Sequence, residues 1–260
     1  MFVVSCAPKD SATFQHEQKI SIYQNHDMVR TSKFESLVGR GAIEFKWEDD
    51  SGKHKEQGEL DFWKQGGALS LRISKLGELL LWFGGEGEDY WLFDMMGEES
   101  KLTYGGHVAA FNSIDVALIL LGLEPLPTKN ASVHDSEVRS VDQHGRQWSC
   151  SYTKFTQQET MHELTNAMRP IRICMKDGGH EAEAVHLESI KVEIANLHEL
   201  HWPQTGGNID IKDNRNESEI KIVFDFISTV VEGEPMERVM NVEFLKSALQ
   251  PKIVEQRKLK

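Results

Sequence analysis

The sequence predicts a mainly β protein, a curved antiparallel sheet of about ten or eleven strands with covering helices. Three observations carry this. Between Arg40 and Met95 five apolar runs follow one another with little but turn residues between them. A second block, from Val133 onward, repeats the pattern as hairpins closed on turn residues. Between the blocks, Phe111 to Leu121 is a short segment with almost no polar side, which belongs packed on most faces or laid across an apolar opening.

The chain opens on Met1-Phe-Val-Val-Ser-Cys6-Ala-Pro, which is similar to the tail of a bacterial lipoprotein signal, in which the residues before the cysteine are removed and the cysteine is lipidated. Residues 1–19 are accordingly expected to be a signal remnant or flexible linker, and residues 20–255 the folded domain. From Ile20 to Val38, Tyr23, Val29, Phe34 and Leu37 recur at helical spacing and predict a helix leading into the first strand. In Ala42 to Trp47, Ile43, Phe45 and Trp47 alternate with Glu44 and Lys46, the period of a strand with one dry face. Glu48 to Lys53 supplies a turn, and Leu60 and Phe62 alternate on the return strand. Past Gly66-Gly67, Leu69, Leu71 and Ile73 form the third strand. Leu79 to Phe83 and Tyr90 to Met95 are apolar on both parities, so both of their faces are expected to be covered.

The mid-chain helix carries Phe111, Ile114, Leu118 and Leu121 on its apolar side, Asn112, Ser113 and Asp115 near its start, and Gly122 and Pro125 after its end. Val133 to Asp142 and Gln147 to Phe155 then flank the turn Gln143-His-Gly-Arg146, with Trp148, Cys150 and Tyr152 on one face. Pro170 to Lys176, with Ile171, Ile173 and Met175 inward, is joined through Asp177-Gly-Gly-His180 to Ala184 to Ile194, where the apolar parity slips as at a β-bulge. A last hairpin sets Ile209 and Ile211 against Ile220, Ile222, Phe224 and Phe226, and Asn241 caps a final helix ended by Pro251.

Composition narrows the function. The net charge of −12 on 260 residues repels nucleic acid and anionic lipid surfaces alike. No apolar run approaches the ~18 residues of a membrane span, so contact with a membrane is expected only through a lipid on Cys6. Cys150 and Cys174 fall on opposite strand faces, which argues against a disulfide between them. No cofactor or metal is expected: His198-Glu-Leu-His201 and His162-Glu-Leu lack the spacing of a zinc helix, Gly84-Gly85, Gly105-Gly106 and Gly206-Gly207 are turns, and no Gly-x-Ser-x-Gly elbow occurs.

A sheet this large curls or closes. Its concave face would carry Ile43, Phe45, Trp47, Leu60, Phe62, Leu69, Leu71, Ile73, Leu81 and Phe83, covered by Phe111 and Leu118 of the helix. Such a lining either fills itself as an ordinary core or holds an apolar ligand. The helix, the strand run containing Gln57-Gly58-Glu59-Leu60, the apolar helix, the stretch Leu121-Gly-Leu-Glu-Pro-Leu-Pro127 and the ending from Phe244 to Pro251 together resemble the periplasmic lipoprotein-sorting LolA/LolB superfamily, in particular its envelope lipoproteins. The resemblance implies an unclosed half-barrel with helices as a lid, acyl chains of lipids or lipoproteins as partners, a place in the bacterial cell envelope, and no catalysis. Two alternatives stand beside it: a structural envelope lipoprotein whose cleft is plugged by its own side chains, and a hydrolase of a lipid-like substrate using the same cleft.

Overall fold

The computed structural model describes residues 19–25, 27–28, 31–87, 89–105, 113–152, 170–186, 208–214, 218–228 and 236–257. A first helical segment, α1 (residues 19–25), and a 3-10 turn at Ser32–Phe34 lead into the first strand. Six strands follow as a meander: β1 (Ser36–Asp49), β2 (Gly52–Gln65), β3 (Ala68–Lys75), β4 (Glu78–Glu86), β5 (Asp89–Asp94) and β6 (Lys101–Tyr104). The helix α2 (Ile114–Leu120) separates them from β7 (Ser132–His134), β8 (Glu137–Val141), β9 (Gln147–Tyr152), β10 (Pro170–Asp177), β11 (His180–His186), β12 (Asn208–Asp213) and β13 (Ser218–Ser228). Two short helices, α3 (Met236–Val239) and α4 (Val242–Leu249), precede β14 (Ile253–Gln256).

The fourteen strands of the described residues belong to one sheet in the order β14-β6-β5-β4-β3-β2-β1-β13-β12-β11-β10-β9-β8-β7, which does not close into a barrel. Pairing of β1 with β13 joins the two meanders, and among the described strands only β14 on β6 is parallel. Curvature follows from what touches α2. That helix contacts both β3–β4 and β10, although β4 and β10 stand seven places apart in the strand order. A flat sheet would put them about 33 Å apart, and a helix is only ~10 Å across. The sheet is therefore wrapped around α2.

Two glycines permit the wrapping. At the β1–β13 bulge between Arg40 and Gly41, a Cβ on Gly41 would lie 2.0 Å from the Val223 carbonyl oxygen. On Gly39 a Cβ would lie 1.9 Å from Cε1 of Phe62, whose ring lies over that position and reaches Phe224 at 5.0 Å between centroids. Strand glycines of this kind mark tight bends and close backbone approach.

Several elements differ from expectation. The predicted Ile20–Val38 helix gives way to strand at Ser36, because Leu37 alternates with Gly39 and Gly41 on the inner face and pairs with Lys64. The predicted Val133–Asp142 strand folds back on itself at Asp135, whose φ of 54° begins a tight turn pairing His134 with Glu137. Ile171, expected inward, is 39% exposed, because the register of β10 on β9 shifts between Pro170 and Arg172; Ile173 and Met175 do face inward. Phe226 is likewise 47% exposed, since the bulge opposite Arg40 and Gly41 hands the inner position to Ile227. β11 starts at His180, ahead of the expected Ala184, and the predicted bulge further along lies outside the described residues. The count exceeds ten or eleven because β6, β14 and the split at Asp135 were not anticipated.

Both faces of β2–β6 are covered. The inner face joins the main apolar cluster, which runs from Leu37 through Phe62, Leu71 and α2 to Trp148, Ile173 and Ile222. The outer face carries Trp63, Trp82, Trp91, Phe93 and Leu102 against Met236, Val239 and Leu245 of the terminal helices. Ser70 donates to the Val239 carbonyl at 2.9 Å and accepts from the Trp82 indole at 2.9 Å, which fixes α3 over β3. Asn241 caps α4 as expected, accepting from the Phe244 amide at 3.0 Å. Elsewhere the outer face is charged. Glu44, held down to about 2 by hydrogen bonds from Lys55 and Gln57 and by the Lys46 ammonium, belongs to a cross-strand array with Lys46 and Glu219.

Candidate functional site: the apolar layer around the central helix

The described lining candidates gather in one cluster. Ile43, Phe45, Leu60, Phe62, Leu69, Leu71, Ile73 and Leu118 are all buried in it, and Trp47, Leu81 and Phe83 pack against it partly buried. Phe111 and Cys6 lie outside the described residues. Phe62, Leu69 and Leu118 are 0% exposed, so the layer is occupied by side chains from the sheet and from α2. Six of the seven residues of α2 are buried, which accounts for its lack of a polar side.

Polar contacts fix the helix at both ends. Ser113 caps α2 through the Val116 amide at 3.4 Å and accepts from Arg146 Nη1 at 3.3 Å. Arg146 Nε donates to Asp142 Oδ2 at 2.5 Å, and both side chains are under one-tenth exposed. Asp142 also accepts from Trp148 Nε1 at 3.0 Å and from the amides of His144 and Arg146. Burial pushes this carboxyl upward, but the Trp148 and Arg146 donors outweigh it and hold the carboxyl below its ordinary range. At the helix C-terminus, His186 Nε2 donates to the Leu120 carbonyl at 2.9 Å.

Beyond α2 the chain crosses the end of the sheet as a strap over residues 121–128. Lys64, buried among the inner residues of β2, binds Glu124 at 2.8 Å and the Gly66 carbonyl at 2.6 Å. The Leu126 amide donates to Asp27 Oδ2 at 2.8 Å, tying the strap to the helical residues 27–28 just past α1. Alongside α2 and this strap opens a cleft of about 670 Å3, walled by Gly66-Gly67, Asp115, Leu118, Ile119, Glu124 and the Asp142–Arg146 turn. Its wall mixes the apolar Leu118, Ile119, Pro125, Pro127 and Val141 with the charged Glu35, Asp115, Glu124, Lys129, Asp142 and Arg146, a surface of both characters.

Sequence reasoning found the layer but not the groups that fix its cover. Lys64 was the available signal: it occupies the inner parity of Leu60 and Phe62, and a lysine there requires a partner. Asp142 and Arg146 bracket a recognised turn, yet their inward direction appears only in the folded chain. Cys150, buried, and Cys174, half-buried, are not joined by a disulfide; they lie on opposite faces, Cys150 across from Ile173 and Cys174 across from Ser149. His162, His198 and His201 lie outside the described residues. At the β1–β2 tip, His54 Nε2 lies 2.9 Å from both Ser51 Oγ and Asp49 Oδ1. Both partners meet the same ring nitrogen, so the imidazole cannot relay a proton from one to the other. Among the described residues, no three His, Cys, Asp or Glu side chains are placed to hold a metal ion, and no helix is long and apolar enough to cross a membrane.

No family model matches the chain, and no curated protein matches its sequence. Solved structures do resemble it. One is a LolA superfamily protein from Nitrosomonas europaea, 12% identical, covering 85% of this chain and 96% of its own, with a TM-score of 0.45. Another is a domain named for outer membrane lipoprotein sorting from Vibrio parahaemolyticus, 9% identical, covering 90% of this chain and 99% of its own, with a TM-score of 0.43. The functional reading rests on the geometry around α2.

Proposed function

We propose that this protein binds the acyl chain of a lipid or lipoprotein without catalysis, in the apolar layer between the curved sheet and α2. The observation that carries this reading is the wrapping itself: strands seven places apart meet one helix, and a cleft runs alongside that helix at Asp115, Leu118 and Ile119. Burial of apolar surface at ~25 cal/mol per Å2 supplies affinity for a long chain without any specific polar contact. In this reading the chain enters along Leu118 and Ile119, its polar end stays by the charged residues of the cleft, and residues 20–255 form the binding unit. Cys6 would carry a lipid anchor, placing the protein in the bacterial cell envelope.

The polar contacts at both ends of α2 favour a second reading, in which the helix is a permanent plug and the protein is a structural envelope component. Titration with cis-parinaric acid, a fluorescent fatty acid, separates the two. The acyl-binding reading expects saturable uptake by the wild type and its loss in Leu71→Glu, with circular dichroism confirming that the variant folds. A folded wild type that takes up no fatty acid, or a folded Leu71→Glu that binds as well as the wild type, refutes it.

A further inference from the structure

We propose that the terminal carbons of the bound chain seat in a second, smaller cavity beneath α1, an inference that rests on the acyl-binding reading. This cavity measures about 170 Å3 and lies between Tyr23 and Met28 on one side, the strap at Leu126 on another, and Val138 and Tyr152 behind. Its lining is almost wholly apolar. The one carboxylate on its wall, Asp27, is 4% exposed and turns Oδ2 to the Leu126 amide at 2.8 Å, so the polar group serves the strap.

Three features point to a hydrocarbon occupant. At about 170 Å3 the cavity has room for about six carbons, since an enclosed apolar void near 150 Å3 accepts benzene. Tyr23, Leu126, Val138 and Tyr152 belong to the same apolar cluster as Leu118 and Leu71, which makes the back of the cavity continuous with the layer around α2. Pro125, Pro127 and Thr128 line both this cavity and the large cleft, so the strap is their common wall, and in this proposal the chain passes from the cleft beneath it. At the solvent side stands Met28, 57% exposed, with the unbranched, adaptable side chain suited to a variable apolar contact.

Ala131 lines the cavity and is only half-buried, so Ala131→Phe fills it without cutting into the core. The assay is displacement of cis-parinaric acid by saturated fatty acids of sixteen and of ten carbons. Wild type should hold the longer chain at least about tenfold more tightly, since the last methylenes bury their surface in the cavity. Ala131→Phe should bind both chains alike, and the milder Ala131→Leu should fall between. Undiminished preference for the longer chain in a folded Ala131→Phe overturns the cavity assignment while leaving acyl binding intact. A wild type that binds neither chain overturns both.

Discussion

Truncating Leu118 tests whether α2 is the hub around which the sheet closes. Its side chain is 0% exposed, and Leu118→Ala deletes three carbons from the centre of the layer. Buried leucine-to-alanine changes cost about 2–5 kcal/mol, with the upper range where surroundings cannot collapse. Collapse is restricted here, because Ser113 and Leu120 are held by Arg146 and His186 at the two ends of the helix. A loss of about 3 kcal/mol is therefore expected. Urea unfolding followed by tryptophan fluorescence reads it directly, since Trp148 lies in the same cluster. At a slope of about 3 kcal/mol per M for a chain of this size, the midpoint should fall by about 1 M. A fall below about 0.3 M would mean that α2 does not pack into the sheet as described. Leu118→Ala also discriminates between the functional readings: it widens the cleft from within, so fatty-acid uptake should rise if the layer accepts chains and stay at zero if α2 is only a plug.

Four further outcomes follow from single positions. Leu76 is 94% exposed with φ of 54°, so Leu76→Asn, which tolerates the left-handed region, should raise stability by about 1 kcal/mol in the same urea assay. Gly39→Val should abolish accumulation of soluble folded protein, because a Cβ there overlaps the Phe62 ring over the bend in β1. Asn241→Ala should cost about 1 kcal/mol through the lost cap of α4, visible as a lowered urea midpoint. Asp142 has its folded pKa below that of the unfolded chain, so its contribution is present above an unfolded value of about 3.9 and lost as pH falls through the folded one. Stability measured from pH 7 to pH 2 should therefore decline less steeply on the acid side in Asp142→Asn than in wild type.

What could be read from the sequence divides along a physical line. Local periodicity exposed β1 to β5, the α2 core and the α4 cap, because each depends on residues within a few positions of one another. Parity also predicted that Cys150 and Cys174 point apart. Bulges escaped, since Ile171 and Phe226 look inward by simple alternation and only the register of the neighbouring strand turns them out. β14 escaped for a related reason: Ile253–Gln256 is too short to declare itself, and it becomes a strand because β6 offers a free edge beside the docked helices. Of the site, the apolar layer was legible and its fastenings were not. Lys64 finds Glu124, and Asp27 finds Leu126, across long stretches of chain that only the wrapped sheet brings together.

Those fastenings bear on how the layer could open. Each involves a terminus of α2 or the strap beyond it, whereas Leu118 and Ile119, in the middle of the helix beside the cleft, carry no polar group of their own. A chain pressing in along that flank displaces dispersion contacts and regains them with its own methylenes, so the exchange is nearly balanced. Displacing the helix outright would instead break the Arg146–Ser113 and His186–Leu120 hydrogen bonds at its two ends, each worth about 1 kcal/mol or more net. Insertion beside a fixed helix is therefore the less costly route, and it leads toward the strap and the cavity behind it. Hydrogen exchange distinguishes the two routes: α2 amides that stay as protected with fatty acid as without it support insertion, and amides that lose protection on binding support displacement.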